Sequence, residues 1–199
     1  MQILSVNDDG WSGGHSVMSV TVTGVGLLDI LQAVEDLTSQ EVLVGIPHGE
    51  TREDGMTNAE IGYLHETGSP SQNIPARPVL VPALERVQDQ TADLLVKAAH
   101  AALDGNSNKV DANLKRAGMV ALRSVRLYFV EGTFAPLSLA TIRARANRGR
   151  SGAKKYLKQI KVGPPEAGLV KPLIDTAQLR KSTTFIIKKN GEEIHNAQS

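Results

Sequence analysis

Two helical periodicities dominate the middle of the chain. From Val79 to Leu103, apolar residues return every third or fourth position, as Leu80, Leu84, Val87, Leu94 or Leu95, Ala98 and Ala102. That spacing lays one stripe along a helix and predicts a single helix over about 79–103. Its lead-in, Ile74-Pro75-Ala76-Arg77-Pro78, must be extended, because each proline keeps the residue before it out of the α region. Pro78 or Pro82 then falls in the first helical turn, where a missing N–H costs nothing. A second stripe, Val110, Leu114, Ala117, Ala121, Val125 and Tyr128, predicts a helix over about 109–130. Between them Asp104-Gly105-Asn106-Ser107-Asn108 is a dense turn, with Asn108 as helix cap and Asp111 three positions on. So short a connection makes the two helices antiparallel neighbours. Gly118 and the alanines around it point to close backbone approach where they cross.

Strand periodicity is confined to short stretches. Met18, Val20 and Val22 alternate with Ser19, Thr21 and Thr23, a half-buried strand near 16–24. Two more strands are expected near 41–46, ended by Pro47, and near 183–189, followed by an Asn190-Gly191 hairpin or terminal turn. Leu27, Ile30 or Leu31, Val34 and Leu37 predict about three helical turns after Gly24-Val25-Gly26. Thr57-x-x-Glu60 is a capping box for a short helix that stops at Gly68. Pro136 breaks the second long helix, Ser138 caps another from Leu139 to Asn147, and Asp175 with Gln178 caps one further turn that includes Leu179. The expected fold is α+β: a small, mainly antiparallel sheet packed against the long helix pair. Residues 16–190 form one domain, 1–15 a flexible leader and 191–199 a frayed tail.

Charge divides this chain. Residues 1–66 hold eleven Asp/Glu and one base, Arg52, a sum of −10; residues 67–199 hold ten acids and 21 bases, a sum of +11. An acidic and a basic face suit head-to-tail self-association. The basic residues concentrate in Arg143, Arg145, Arg148, Arg150, Lys154, Lys155, Lys158 and Lys161, with no acid between Glu131 and Glu166. Gly149, Gly152 and Gly163-Pro164-Pro165 mark about 143–170 as a flexible basic insertion, a contact for an acidic neighbour or for DNA phosphates. Aromatics are only 4% of the chain, too few for a base-stacking surface. There is no cysteine, so no disulfide, thiolate metal site or cysteine nucleophile. No run approaches the roughly 20 apolar residues of a membrane span, and residues 1–15 lack the order of a secretory signal.

Catalytic patterns are sparse. Gly24-x-Gly26 lacks the third glycine of a dinucleotide loop, and a tight turn explains it. His65-Glu66 lacks the second histidine of a zinc-protease helix, Ser69 standing there; a His beside a Glu is more simply a hydrogen-bonded pair. No nucleophile-elbow or Walker motif occurs. His48, Glu50, Glu60, His65 and Glu66 are the only grouping worth searching for catalysis. The expectation is a protein that is not an enzyme and carries no cofactor or metal.

Four blocks taken together resemble the virion morphogenesis proteins of tailed bacteriophages, which act at the head–tail joint. They are Ile61-Gly-Tyr-Leu-His65-Glu66-Thr-Gly68, Ile74-Pro75-Ala76-Arg77-Pro78-Val-Leu80, Phe134-Ala-Pro136-Leu137-Ser-Leu-Ala-Thr-Ile-Arg143, and Lys171-Pro-Leu-Ile-Asp175-Thr-Ala-Gln-Leu179-Arg180 with Ser182. Their order and spacing match over roughly residues 40–190. The chain departs at Ala177, where glycine is common, and at Val79, where an aromatic is. The resemblance implies a structural ring in the virion neck, six-fold or else twelve-fold, assembled from the host cytoplasm. Its implied partners are itself and the neighbouring neck, connector and tail-tube or tail-terminator proteins, with transient contact to DNA in the channel and no membrane. A non-catalytic DNA-binding or packaging accessory protein using 143–161 is the alternative.

Overall fold

The computed structural model describes residues 26–49, 51, 55–166, 168–175 and 177–197. The strand expected near 16–24 and the leader 1–15 lie outside them. Two strand pairings build the sheet. β1 (Gln40–Gly45) runs antiparallel to β2 (Thr184–Lys189), which pairs in turn with β3 (Glu192–Asn196), in the order β1-β2-β3. Alternation along β2 turns Phe185 and Ile187 inward, opposite Val44 and Val42 of β1. On the other face Glu41 lies opposite Lys188. β3 replaces the frayed tail. Asn190 and Gly191 both take positive φ, 53° and 83°, the two-residue turn whose twist matches antiparallel strands. The chain therefore returns along β2, and the His195 ring settles 5.5 Å from that of Phe185.

Eight helices accompany this sheet among the described residues, giving the expected α+β class. α1 (Leu27–Thr38) leads into β1, and α2 (Asn58–Thr67) starts from the capping box at Thr57 and stops at Gly68. The stretch expected as one helix is two, α3 (Leu80–Glu85) and α4 (Gln88–Leu103). The cause is Ser124, whose hydroxyl donates to the Ala83 carbonyl at 2.6 Å. In an unbroken helix that carbonyl would accept from Val87. The Val87 N–H instead reaches Leu84 O at 3.1 Å, and the helix breaks there.

α5 (Ser107–Glu131) is the long helix of the stripe, burying Val110, Leu114, Ala117, Ala121 and Val125 as expected, with Leu122 and Phe129. Its cap is Asn106 rather than Asn108: the Asn106 Oδ1 accepts from Lys109 N at 3.1 Å. Gly118 serves the sheet more than the helix crossing, since a Cβ there would run into the Phe185 ring. One part of the core lies between α4, α5 and the sheet; a second joins α3 and α5 to Leu173 and Leu179.

The helix expected from Leu139 to Asn147 is present as α6 (Leu139–Asn147), and within the stretch of about 143–170 expected to be a flexible insertion it pairs with α7 (Ser151–Gln159) in a helical hairpin, turned at Gly149 with φ 90°. Ile142, Ala146 and Ala153 give it a small core of its own. α8 (Gln178–Ser182) precedes β2.

Candidate functional site

The four blocks converge. Glu66, at the end of α2, reaches across to the start of α3, where its carboxylate accepts from Val79 N at 2.7 Å, Leu80 N at 3.1 Å and Val81 N at 3.1 Å. These are helix-terminal donors with no partner in their own helix, and the negative charge suits that end of the dipole. Glu66 is therefore not the partner of His65. The His65 Nδ1 is buried without a hydrogen-bond partner, while its carbonyl accepts from Arg77 N at 2.6 Å. Burial, and then the charge of Arg77, hold the His65 pKa below its ordinary value. At Gly68, φ 74°, a Cβ would stand 2.8 Å from Ala76 N and 2.9 Å from Ile74 O, so only glycine lets the second block fold back on the first. Pro75 and Pro78 keep that block extended on either side of Ala76 and Arg77.

Arg77 then ties the second block to the third. Arg77 is only 7% exposed, and its guanidinium donates from Nε to Ala135 O at 2.9 Å and from Nη2 to Pro136 O at 3.0 Å. Arg145 repeats the device towards the fourth block, again 7% exposed, donating to Lys171 O at 2.7 Å and Pro172 O at 2.6 Å. Burial lowers the pKa of both guanidiniums; at Arg145, Asp175 opposes the shift while Arg148 and Arg150 add to it. Asp175 does not cap α8 as the sequence suggested. Ala177 occupies the cap position at φ 56°, and the Asp175 carboxylate accepts from Arg148 and Arg150, each at 2.7 Å. Its approach to Arg145 Nε, 3.9 Å, is an ion pair too long for a hydrogen bond. Leu179 is buried beside Val79, Leu137 packs under the α6–α7 hairpin, and the Ser182 hydroxyl donates to Leu179 O at 2.9 Å.

The eight basic residues of 143–161 thus divide. Arg145 is a buried fold element and not a contact residue; Arg148 and Arg150 are held by Asp175. Arg143, Lys154, Lys155, Lys158 and Lys161 are exposed and make no ion pair among the described residues. Lys154, Lys158 and Lys161 follow one another at four- and three-residue spacing along and just beyond α7. Tyr156 packs into the hairpin and offers no stacking platform.

The grouping singled out for catalysis is dispersed into caps. Glu60 accepts from Thr57 N at 2.7 Å and from its hydroxyl at 3.0 Å, bonds that lower its pKa, and Glu66 caps α3. His48 is exposed, and Glu50 lies outside the described residues. No cluster of three His, Asp or Glu able to hold a metal occurs among the described residues. One surface escaped the sequence reading: a groove of about 590 Å³ between α5 and α8 with Arg123, Arg126, Arg180 and Lys181 around exposed Met119 and Leu127. The signal was present in α5, where Met119, Arg123, Arg126 and Leu127 recur at helical spacing on the side away from the apolar stripe. No family model, no curated protein and no solved structure matches this chain.

Proposed function

We propose that the protein is a non-catalytic structural component of a tailed-phage virion, a ring in the head–tail neck that completes the tail or joins it to the head connector. One observation carries this reading: the four blocks that resemble the morphogenesis family form a single node, in which Glu66, Arg77, Arg145 and Asp175 face main-chain amides, carbonyls and one another, while Arg143 and Arg180 lie at its surface. Such a node fixes the geometry of loops and leaves the outer surfaces to make contacts. The partners are further copies of this chain and the adjoining neck, connector and tail-tube or tail-terminator proteins, met in the host cytoplasm and retained in the virion. The five free cations of the α6–α7 hairpin fit an acidic neighbour.

Negative-stain microscopy of a lysate from the phage with this gene disabled tests the role. Filled heads and finished tails lying unjoined, or tails of irregular length, are the expected result; normal joined virions would overturn it. Neutralising Lys154, Lys155 and Lys158 should impair assembly and leave the purified protein folded. The same five cations support one second reading, binding of duplex DNA. It requires affinity for arbitrary sequence that falls with salt at a logarithmic slope no steeper than about −4.5, five phosphates at roughly 0.9 each. Loss of that binding on neutralising the lysines, together with normal virions from the disabled phage, would favour it.

A further inference from the structure

The least explained surface is α1. None of its residues is buried, and Leu27 is 72%, Leu28 80% and Leu31 56% exposed. The helix sits against the body through the side bearing Ala33 and Leu37, both half-buried. Leu28, Leu31 and Glu35, at i, i+3 and i+7, therefore share a face turned outward, with Leu27 and Val34 beside them. Residues 26–39 hold Asp29, Glu35 and Asp36 and no base; Asp29 accepts from Gly26 N at 3.0 Å and Asp36 pairs with Lys189 at 3.3 Å, which leaves Glu35 as the acid of the outward face. An outward apolar face of this kind marks an interaction site, and Glu35 among its leucines specifies what should cover it.

The complement is on the same molecule. The groove between α5 and α8 combines an exposed apolar floor, Met119 at 60% and Leu127 at 44%, with Arg123, Arg180 and Lys181, which make no ion pair among the described residues. We infer that α1 of one copy docks in the α5–α8 groove of the next, leucines on the apolar floor and Glu35 among the cations. The two surfaces differ, so the contact is head-to-tail, and repetition closes a ring when the rotation per copy permits. Other occupants fit less well. Residues 1–25 carry Asp8 and Asp9 and no Lys or Arg, so they offer α1 no opposite charge. The apolar groove lined by Val42, Val81 and Leu95 carries Glu85 at its rim and would repel Glu35. The docking rests on the ring reading for its biological setting, whereas the contact itself is open to test in purified protein.

The test is sedimentation velocity of the full chain over a concentration series, with two double variants. Leu28→Gln/Leu31→Gln removes the apolar anchors and keeps good helix formers; Arg123→Glu/Lys181→Glu reverses the groove. Wild type is expected to associate, and each variant to do so at least about tenfold more weakly with unchanged melting. An equimolar mixture of the two has one intact helix and one intact groove, so it should form dimers and nothing larger. A monomeric wild type, a mixture that stays monomeric, or variants that associate as before would overturn the proposal. If the leucine variant melts lower while wild type is monomeric, α1 is covered within its own chain. Normal virions from the disabled phage alongside this self-association would remove the neck role and leave the contact standing.

Discussion

Arg145→Met asks whether the basic run is divided between fold and surface as the geometry has it. The guanidinium donates two short bonds, 2.7 Å to Lys171 O and 2.6 Å to Pro172 O. Bonds to a charged donor contribute about 1.5–3 kcal/mol each, or roughly 3–6 kcal/mol for the pair. Two effects offset part of that. Methionine fills much of the space of the arginine stem, and its presence relieves the burial penalty that lowers the Arg145 pKa. A net loss of about 2–4 kcal/mol follows, which in a domain of this size lowers the melting temperature by roughly 5–15 °C. Arg145→Lys keeps the charge but lacks the fork, so it should fall between. Circular dichroism melts at neutral pH, run beside a Lys154→Ala/Lys155→Ala/Lys158→Ala variant, make the comparison. Those lysines are exposed and make no ion pair among the described residues, and the triple change should stay within about 0.5 kcal/mol of wild type. A Met variant melting within a degree or so of wild type, or a lysine variant falling as far, would refute the division.

Three further outcomes test other parts of the fold. Gly118→Ala should cost about 1–3 kcal/mol despite the better helix former, because the methyl meets the Phe185 ring; Phe185→Leu in the same chain should recover part of the loss, and strict additivity in denaturant titrations would exclude the clash. Ala177→Gly should raise the melting temperature by a few degrees, since φ 56° is strained for alanine, and a fall would contradict the left-handed geometry. His65 has its folded pKa lowered, so its contribution is full above the unfolded value of about 6.5 and is lost as pH falls below it, where the unfolded chain binds the proton first. Urea titrations from pH 7 to 5 should show stability declining, with a shallower decline in His65→Gln; an identical slope in both would exclude this account.

What local pattern can specify was legible. The α5 stripe, the Thr57 and Ser138 caps, the stop at Gly68 and the strand near 183–189 each depend on residues within a turn or two of one another, and each is in place. The departures come from partners far along the chain. The break at Arg86-Val87 has neither glycine nor proline to announce it; it falls where Ser124, 41 residues away, captures the Ala83 carbonyl. Arg145 and Lys154 look alike within one basic run, yet Arg145 meets carbonyls 26 and 27 residues ahead of it while Lys154 remains in solvent. Asp175 resembles a helix cap until Arg148 and Arg150 claim both its oxygens and the chain passes Ala177 with positive φ. β3 was hidden because its alternation covers only five residues.

The same kind of long-range bonding holds the four blocks together. Residues 134–137 and 171–175 belong to no helix or strand, so their carbonyls have no ladder to satisfy them. Ordering such loops requires donors that reach two adjacent carbonyls at fixed spacing, which a guanidinium fork supplies and an ammonium does not. Arg77 serves the Ala135–Pro136 pair and Arg145 the Lys171–Pro172 pair, with proline in each pair restricting the backbone that presents the acceptors. Each fork must itself be held at a defined place. The Gly68 turn, the Glu66 cap and the extended prolines do this for Arg77, and helix α6 does it for Arg145. Change at any of these positions is felt at several loops together, while Lys154, Lys155 and Lys158 of α7 are exposed and make no ion pair among the described residues. The same physics therefore ties the residues of the node to one another and leaves the hairpin, the groove and α1 less constrained by the fold.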